Sequence, residues 1–334
     1  MTDFPDHSER RRFLKRVASA GLAIAASRLT ACAGTASPPV SSSPSPGNDP
    51  ARSTSATGTR GELDTVTIRH ASGSSAEIAI QGAHVTSWKR TNGEEMLFVS
   101  ANSRFAPGQP IRGGIPVVFP QFAALGPLPG HGFLRTATWE VADVSRDPNG
   151  AAFALFQVRD TDAMRTLWPH PFRATLRVTL DEALATAITI ENVGDDAFPF
   201  HCALHTYLRV GDLTKVSIRG LEGATYQDRR AKNAQRRESR RPLRIEGETD
   251  RLYVGRPERL RIRDESLGRT VFVDRIGFND VVIWNPGEER ARTSTGLAEG
   301  EYLTMLAVES AQVVPPVQLA PKSRWTGVQR MLVG

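Results

Sequence analysis

The stretch FRATLRVTL, residues 172–180, alternates apolar and polar side chains almost residue by residue, and ATAITIENV, residues 185–193, keeps the same character beyond a short acidic turn. A period of two puts Phe172, Ala174, Leu176, Val178 and Leu180 on one face of an extended chain. Arg173, Thr175, Arg177 and Thr179 fall on the other. Together with the β-branched content, this predicts two adjacent strands, each with one buried face. The same character spreads outward from the pair. DTVTIRH, AEIAIQG, HVTSWKR, EMLFVS and AAFALFQV precede it, and VVIWNPG, YLTMLAVES and PVQLAP follow, all bounded by Gly, Asn, Asp or Pro. Helical periodicity is scarce; only TDAMRTLWP suggests a short helical turn. Many short strands with no internal linker predict an all-β chain, a single large antiparallel sandwich over residues 62–334.

The composition is ordinary for a soluble globular protein, with 40% hydrophobic and 23% charged residues. The net charge of +6 is uneven. Residues 1–31 hold six Lys/Arg and three Asp/Glu, so without them the excess is about +3. DRRAKNAQRRESRRPLR, residues 228–244, forms a second basic cluster. It has no interleaved aromatics, so it reads as a solvated loop and no nucleic-acid partner is expected.

The N-terminus reads as an export signal. ERRRFLK, residues 9–15, precedes VASAGLAIAAS, an apolar run of 11 residues that is too short to span a bilayer. Arg10, Arg11, Phe13, Leu14 and Lys15 resemble the twin-arginine export consensus, and LTAC, residues 29–32, resembles a lipobox that would make Cys32 a lipidated residue. Residues 1–31 are then a signal peptide, and the protein is expected to be exported, periplasmic or at the cell surface. Its one membrane contact would be a lipid anchor at Cys32. With Cys32 acylated, Cys202 is left without a partner and no internal disulfide forms. Residues 32–61 are dominated by Ser, Pro, Thr and Gly, and are expected to be a disordered tether.

Beyond the signal the chain carries six histidines: His70, His84, His131, His170, His201 and His205. No HxH or HExxH spacing points to a metal, no GxSxG elbow points to a serine nucleophile, and no glycine-rich phosphate cradle is present. No metal and no cofactor are therefore expected. FPFHCALHTYLRV, residues 198–210, read as one strand, puts His201, Ala203, His205 and Tyr207 on one face and Phe200, Cys202, Leu204 and Thr206 on the other. The first face suits a polar groove and the second a core. A structural pair of histidines is the simpler alternative. LTMLAVES, residues 303–310, is a nearly continuous apolar strand expected to end at Glu309. A carboxylate in that position must be paired or functional, because an isolated buried charge is too costly.

PIRGGIPVVFPQF, GHGFLRTATWEV, ALHTYLRV, ETDRLY and DVVIWNPG occur in that order, preceded by GAHVTSWK at residues 82–89. In this series the chain resembles the glucose-6-phosphate 1-epimerase group of the aldose 1-epimerase (galactose mutarotase-like) family over roughly residues 62–334. The resemblance implies a β-supersandwich and exchange of α and β anomers of a hexose 6-phosphate, without a cofactor. It implies His205 as general acid and Glu309 as general base. Arg112, His131, Arg135 and Asp250 would be substrate contacts. A base takes the proton of the C1 hydroxyl while an acid protonates the ring oxygen; the ring opens, C1 turns, and closure reverses the roles. If residues 129–141 continue as a strand, His131 and Arg135 share a face. Gly130 stands where that group commonly has glutamine. Another periplasmic sugar as substrate, or a non-catalytic carbohydrate-binding lipoprotein, are the alternatives. A monomer is expected.

Overall fold

The computed structural model describes residues 55–255, 259–294 and 296–334. The twin-arginine motif, Cys32 and the tether up to residue 54 lie outside the described residues.

Among the described residues every strand pairing within the sheets is antiparallel, and the strands fall into three sheets. The opening hairpin of the sequence reading is there: Phe172–Leu180 pairs with Ala183–Asn192 from Phe172↔Asn192 to Leu180↔Leu184. These two strands lie inside an eight-stranded sheet. On one side follow Ala152–Arg159 and Glu140–Arg146; on the other follow Arg324–Val333, Arg269–Ile276, Arg259–Asp264 and Val216–Arg219. A second eight-stranded sheet runs Ala234–Arg237, Thr225–Asp228, Thr249–Tyr253, Asp280–Asn285, Met305–Leu319, Phe198–Leu204 and Val117–Val118, with Tyr207–Arg209 also on Met305–Leu319. Four N-terminal strands between Ser55 and Lys89 make the third sheet.

The main core fills the space between the two large sheets. Leu176, Val178 and Ile188 from one meet Phe200, Cys202, Leu204, Ile283 and Val308 from the other. The second sheet also uses its opposite face, where Val118, Ala203, Leu252, Val282 and Ala311 form a smaller apolar cluster. Alternation along one strand therefore sends neighbours to different surroundings: Ile283 to the main core, Val282 and Trp284 to the site face. A buried polar bridge ties the sheets together. Ser310 Oγ donates to Gln329 Oε1 at 2.7 Å, and Gln329 Nε2 donates to Thr206 Oγ1 at 2.7 Å.

The structure corrects several expectations. Ser55–Arg60, expected within the tether, is a strand paired with Leu63–Arg69. That strand is largely exposed and carries no apolar pattern, so backbone hydrogen bonds and the Arg60–Glu77 ion pair (3.1 Å) hold it. Glu309 does not end its strand: Met305–Leu319 runs on for ten residues, paired on both sides as far as Ala311 and with Phe198–Leu204 beyond it. Phe198–Val210 is not one strand, since His205 and Thr206 interrupt it, although alternation survives the break. The basic segment is partly ordered: a 3₁₀ turn, Arg229–Ala231, joins Thr225–Asp228 to the exposed edge strand Ala234–Arg237. Alongside the expected helical turn, Asp162–Leu167, there is a second short helix, Gly287–Thr293.

Candidate active site

A cleft of about 140 Å³ opens on the face of the second sheet turned away from the main core. Glu309 enters from the middle of Met305–Leu319, opposite Val282 on the neighbouring strand, and is 2% exposed. His205 sits in the interruption after Phe198–Leu204. The break is held by His205 N donating to Pro116 O (3.0 Å) and Tyr207 N donating to Gly114 O (2.9 Å). These two turns of chain bring His205 Nε2 to 3.3 Å from Glu309 Oε1. The Tyr207 ring stacks on His205 at 4.5 Å between centroids, with its hydroxyl 3.4 Å from Nε2. Trp284 stands edge-on to both rings. Glu309 Oε2 and His205 Nδ1 are buried and have no hydrogen-bond partner among the described residues. Buried polar atoms are rarely left so, and a substrate hydroxyl would satisfy them.

Arg112 reaches the cleft from the loop RGGIP. Gly113 and Gly114 have positive φ, and a Cβ on either would lie 2.3 Å from a backbone carbonyl, so only glycine permits this path. His84, fully buried, hydrogen-bonds Gly113 O at 2.7 Å through Nε2 and secures the loop from beneath. The Arg112 guanidinium is 3.5 Å from the Tyr207 hydroxyl. It makes no ion pair with a carboxylate among the described residues.

The stretch PGHGFLRTATWEV is not a continuous strand. His131 and Gly132 both adopt positive φ, and Leu134–Thr136 is a 3₁₀ turn. A Cβ on Gly132 would meet Phe119 O at 1.9 Å, so the second glycine is demanded by close backbone approach. The turn swings His131 into the cleft, where its ring lies 5.4 Å from those of His205 and Phe122. Arg135 does not follow it: its Nη2 donates to Gly130 O (2.7 Å), and it lies off the cleft lining. Its charge still bears on His131 and His205. His201, which alternation put on the same face as His205, packs under the Phe122 loop and accepts from Phe122 N at 3.4 Å.

Asp250 lines the cleft from Thr249–Tyr253, and Arg229 pairs with it, Nε to Oδ1 at 3.2 Å. Arg229 is the residue the sequence reading missed. It lies inside an arginine-rich segment that reads as solvated, and one of many arginines carries no pattern that separates it from its neighbours. Arg290, from the helix Gly287–Thr293, completes this wall.

Electrostatics separate the two central groups. Burial, followed by the Asp250 charge, pushes the Glu309 carboxyl well up, against the pull of Arg229. Burial pushes His205 well down, with His131, Arg112 and Arg135 acting in the same direction. Burial lowers His131 to about 3, and the surrounding arginines add to it. A carboxylate made more basic in contact with an imidazole made more acidic can pass a proton in either direction.

The chain and its fold match known proteins. The Aldose 1-epimerase family profile matches residues 64–332, and the chain belongs to that family of isomerase-type enzymes. A candidate glucose-6-phosphate 1-epimerase of Cenchrus ciliaris is 36% identical over 273 residues, covering 79% of this chain and 83% of the relative. One from Escherichia coli K12 is 34% identical over 252 residues, 75% and 83%. The crystal structure of a candidate mutarotase from Salmonella typhimurium superposes with a TM-score of 0.77 at 29% identity, over 84% of this chain and 94% of that one.

Proposed function

We propose that this protein interconverts the α and β anomers of a hexose 6-phosphate, glucose 6-phosphate foremost, with Glu309 and His205 as the acid–base pair. The observation that carries the reading is their 3.3 Å contact, buried in a cleft that Arg112 enters without a carboxylate partner among the described residues. Glu309 Oε2 takes the proton of the C1 hydroxyl. With the pair in its Glu309 carboxylate–His205 imidazolium form, His205 hands its proton to the ring oxygen and becomes neutral, the ring opens, C1 rotates, and closure reverses both transfers. Tyr207, stacked on His205, fixes the plane of the imidazole. Trp284 offers an apolar edge to the sugar, while Arg112 and His131 hold its polar groups. The Arg112 guanidinium, without a carboxylate partner among the described residues, suits a phosphate, and the relatives' names point to the same substrate.

The test follows anomer exchange of glucose and glucose 6-phosphate by NMR with the full chain. Faster exchange of the phosphate, reduced at least about 100-fold in Glu309→Gln and in His205→Ala, is expected. Exchange of glucose alone would keep the pair and remove the phosphate. No acceleration of either, with both sugars binding, would make this a carbohydrate-binding protein. Export and acylation at Cys32 belong to the same reading and rest on the N-terminal motifs alone. Labelled palmitate incorporated by the wild type and not by Cys32→Ser is the expected result.

A further inference from the structure

Arg229 and Asp250 form an ion pair inside the cleft. Their side chains are 19% and 16% exposed, and the Arg229 guanidinium also lies 5.0 Å above the Phe122 ring. A pair so enclosed is shielded from water and salt far more than one at the surface. Strand register relates Asp250 to Glu309. Glu309 faces Val282, Val282 faces Leu252, and Asp250 lies two residues from Leu252 on the same face. The two carboxylates therefore look into one cleft across two strand spacings, roughly 10 Å laterally.

We propose that Arg229 is a positioning residue for the acid–base pair: by holding Asp250 in an ion pair it offsets part of the negative charge that Asp250 brings to bear on Glu309. This rests on the reading of Glu309 as the base. The Asp250 charge raises the Glu309 carboxyl and the Arg229 charge lowers it, which agrees with that geometry. The other groups that face Glu309 do not replace Arg229. On one side stand His205 and Tyr207, with Arg112, His131 and Arg135 beyond them. On the other, Arg290 is taken up by Glu248 at 2.9 Å, and Arg230 shares that carboxylate at 3.2 Å. Arg229 is thus the cation paired to the carboxylate that repels Glu309. The segment 228–244 is anchored to deliver it there: buried Glu238 accepts from both Arg251 and Tyr253 at 2.7 Å, and both lie on Asp250's own strand.

The test follows the Glu309 carboxyl by ¹³C NMR against pH in the full chain labelled at glutamate, its signal assigned by loss in Glu309→Gln. In parallel, the low-pH limb of kcat/KM for anomer exchange is recorded. In Arg229→Gln the Glu309 midpoint and the low-pH limb move to higher pH; in Asp250→Asn both move to lower pH; Arg229→Lys, which keeps the charge, stays near wild type. An unchanged or lowered midpoint in Arg229→Gln, or movement of both variants in one direction, overturns the proposal. Should Arg229→Gln fail to fold, Asp250→Asn decides: a downward shift supports it and an unmoved midpoint overturns it. Should the wild type accelerate no sugar, the functional reading falls while the carboxyl titration still decides the role of Arg229.

Discussion

Arg112 and Arg229 show how much the surroundings of one side chain decide. Both are arginines at the cleft, yet one has no carboxylate partner among the described residues and the other is already bound to Asp250. Arg112→Gln removes a charged donor from the substrate wall. One charge-assisted hydrogen bond of about 1.5–3 kcal/mol corresponds to a KM for glucose 6-phosphate roughly 10- to 100-fold higher. The KM for unphosphorylated glucose should rise far less. Arg112→Lys should recover part of the loss, since an ammonium keeps the charge and loses the fork. Steady-state kinetics on the two sugars check this; an equal rise in both KM values would take Arg112 off the phosphate. Arg112, His131, His205, Asp250 and Glu309 were all legible because each sits in a recognisable motif, and the structure brings all five to one cleft. Arg135 is brought only to its periphery.

At the scale of elements, the turns do the aiming. The residues His131–Gly132 reverse a chain that alternation alone would extend, and Gly132 lies against Phe119 O with no space for a Cβ. Gly132→Ala meets both a strained φ and an immovable backbone atom. It is expected to cost at least about 2 kcal/mol, measured as a lower urea midpoint at unchanged slope. Gly130→Ala is the contrast. Gly130 has open space, the nearest atom to a Cβ being Ala123 O at 3.8 Å, so its stability should stay within about 0.5 kcal/mol of wild type. The glycines of this turn were visible in the sequence; that one is required for packing and the other is not came from the backbone's distance to Phe119.

For the whole molecule, burial of neutral imidazoles couples stability to pH. His84 is lowered to about 4, chiefly by burial, from an ordinary value of 6.5. The unfolded chain therefore binds the proton more readily than the folded one. The stability tied to a neutral His84 is fully present above pH 6.5 and is lost as pH falls toward 4, by roughly 3 kcal/mol. His131, lowered to about 3, acts with the same sign. Urea unfolding at pH 7, 5.5 and 4 checks it. Between pH 7 and 4 the wild type should lose about 3 kcal/mol more than His84→Gln, whose amide can still donate to Gly113 O. Parallel losses in the two proteins would mean that His84 does not titrate on unfolding.

The sequence by itself determined the strands and most of the residues brought to the cleft. Two-residue alternation is a local property, and the motifs around Arg112, His131, His205, Asp250 and Glu309 are contiguous. It could not show where strands stop when backbone pairing rather than burial holds them, as at Ser55–Arg60, or that the buried strand Met305–Leu319 runs on past the carboxylate of Glu309. Only the tertiary structure decided the contact between His205 and Glu309, which are far apart in the chain. It depends on the register that puts Met305–Leu319 between Asp280–Asn285 and Phe198–Leu204. The same holds for Arg229, an arginine among arginines until sheet pairing sets it against Asp250. Local periodicity reports which face a residue occupies, whereas the identity of its partner across a sheet is set by non-local pairing.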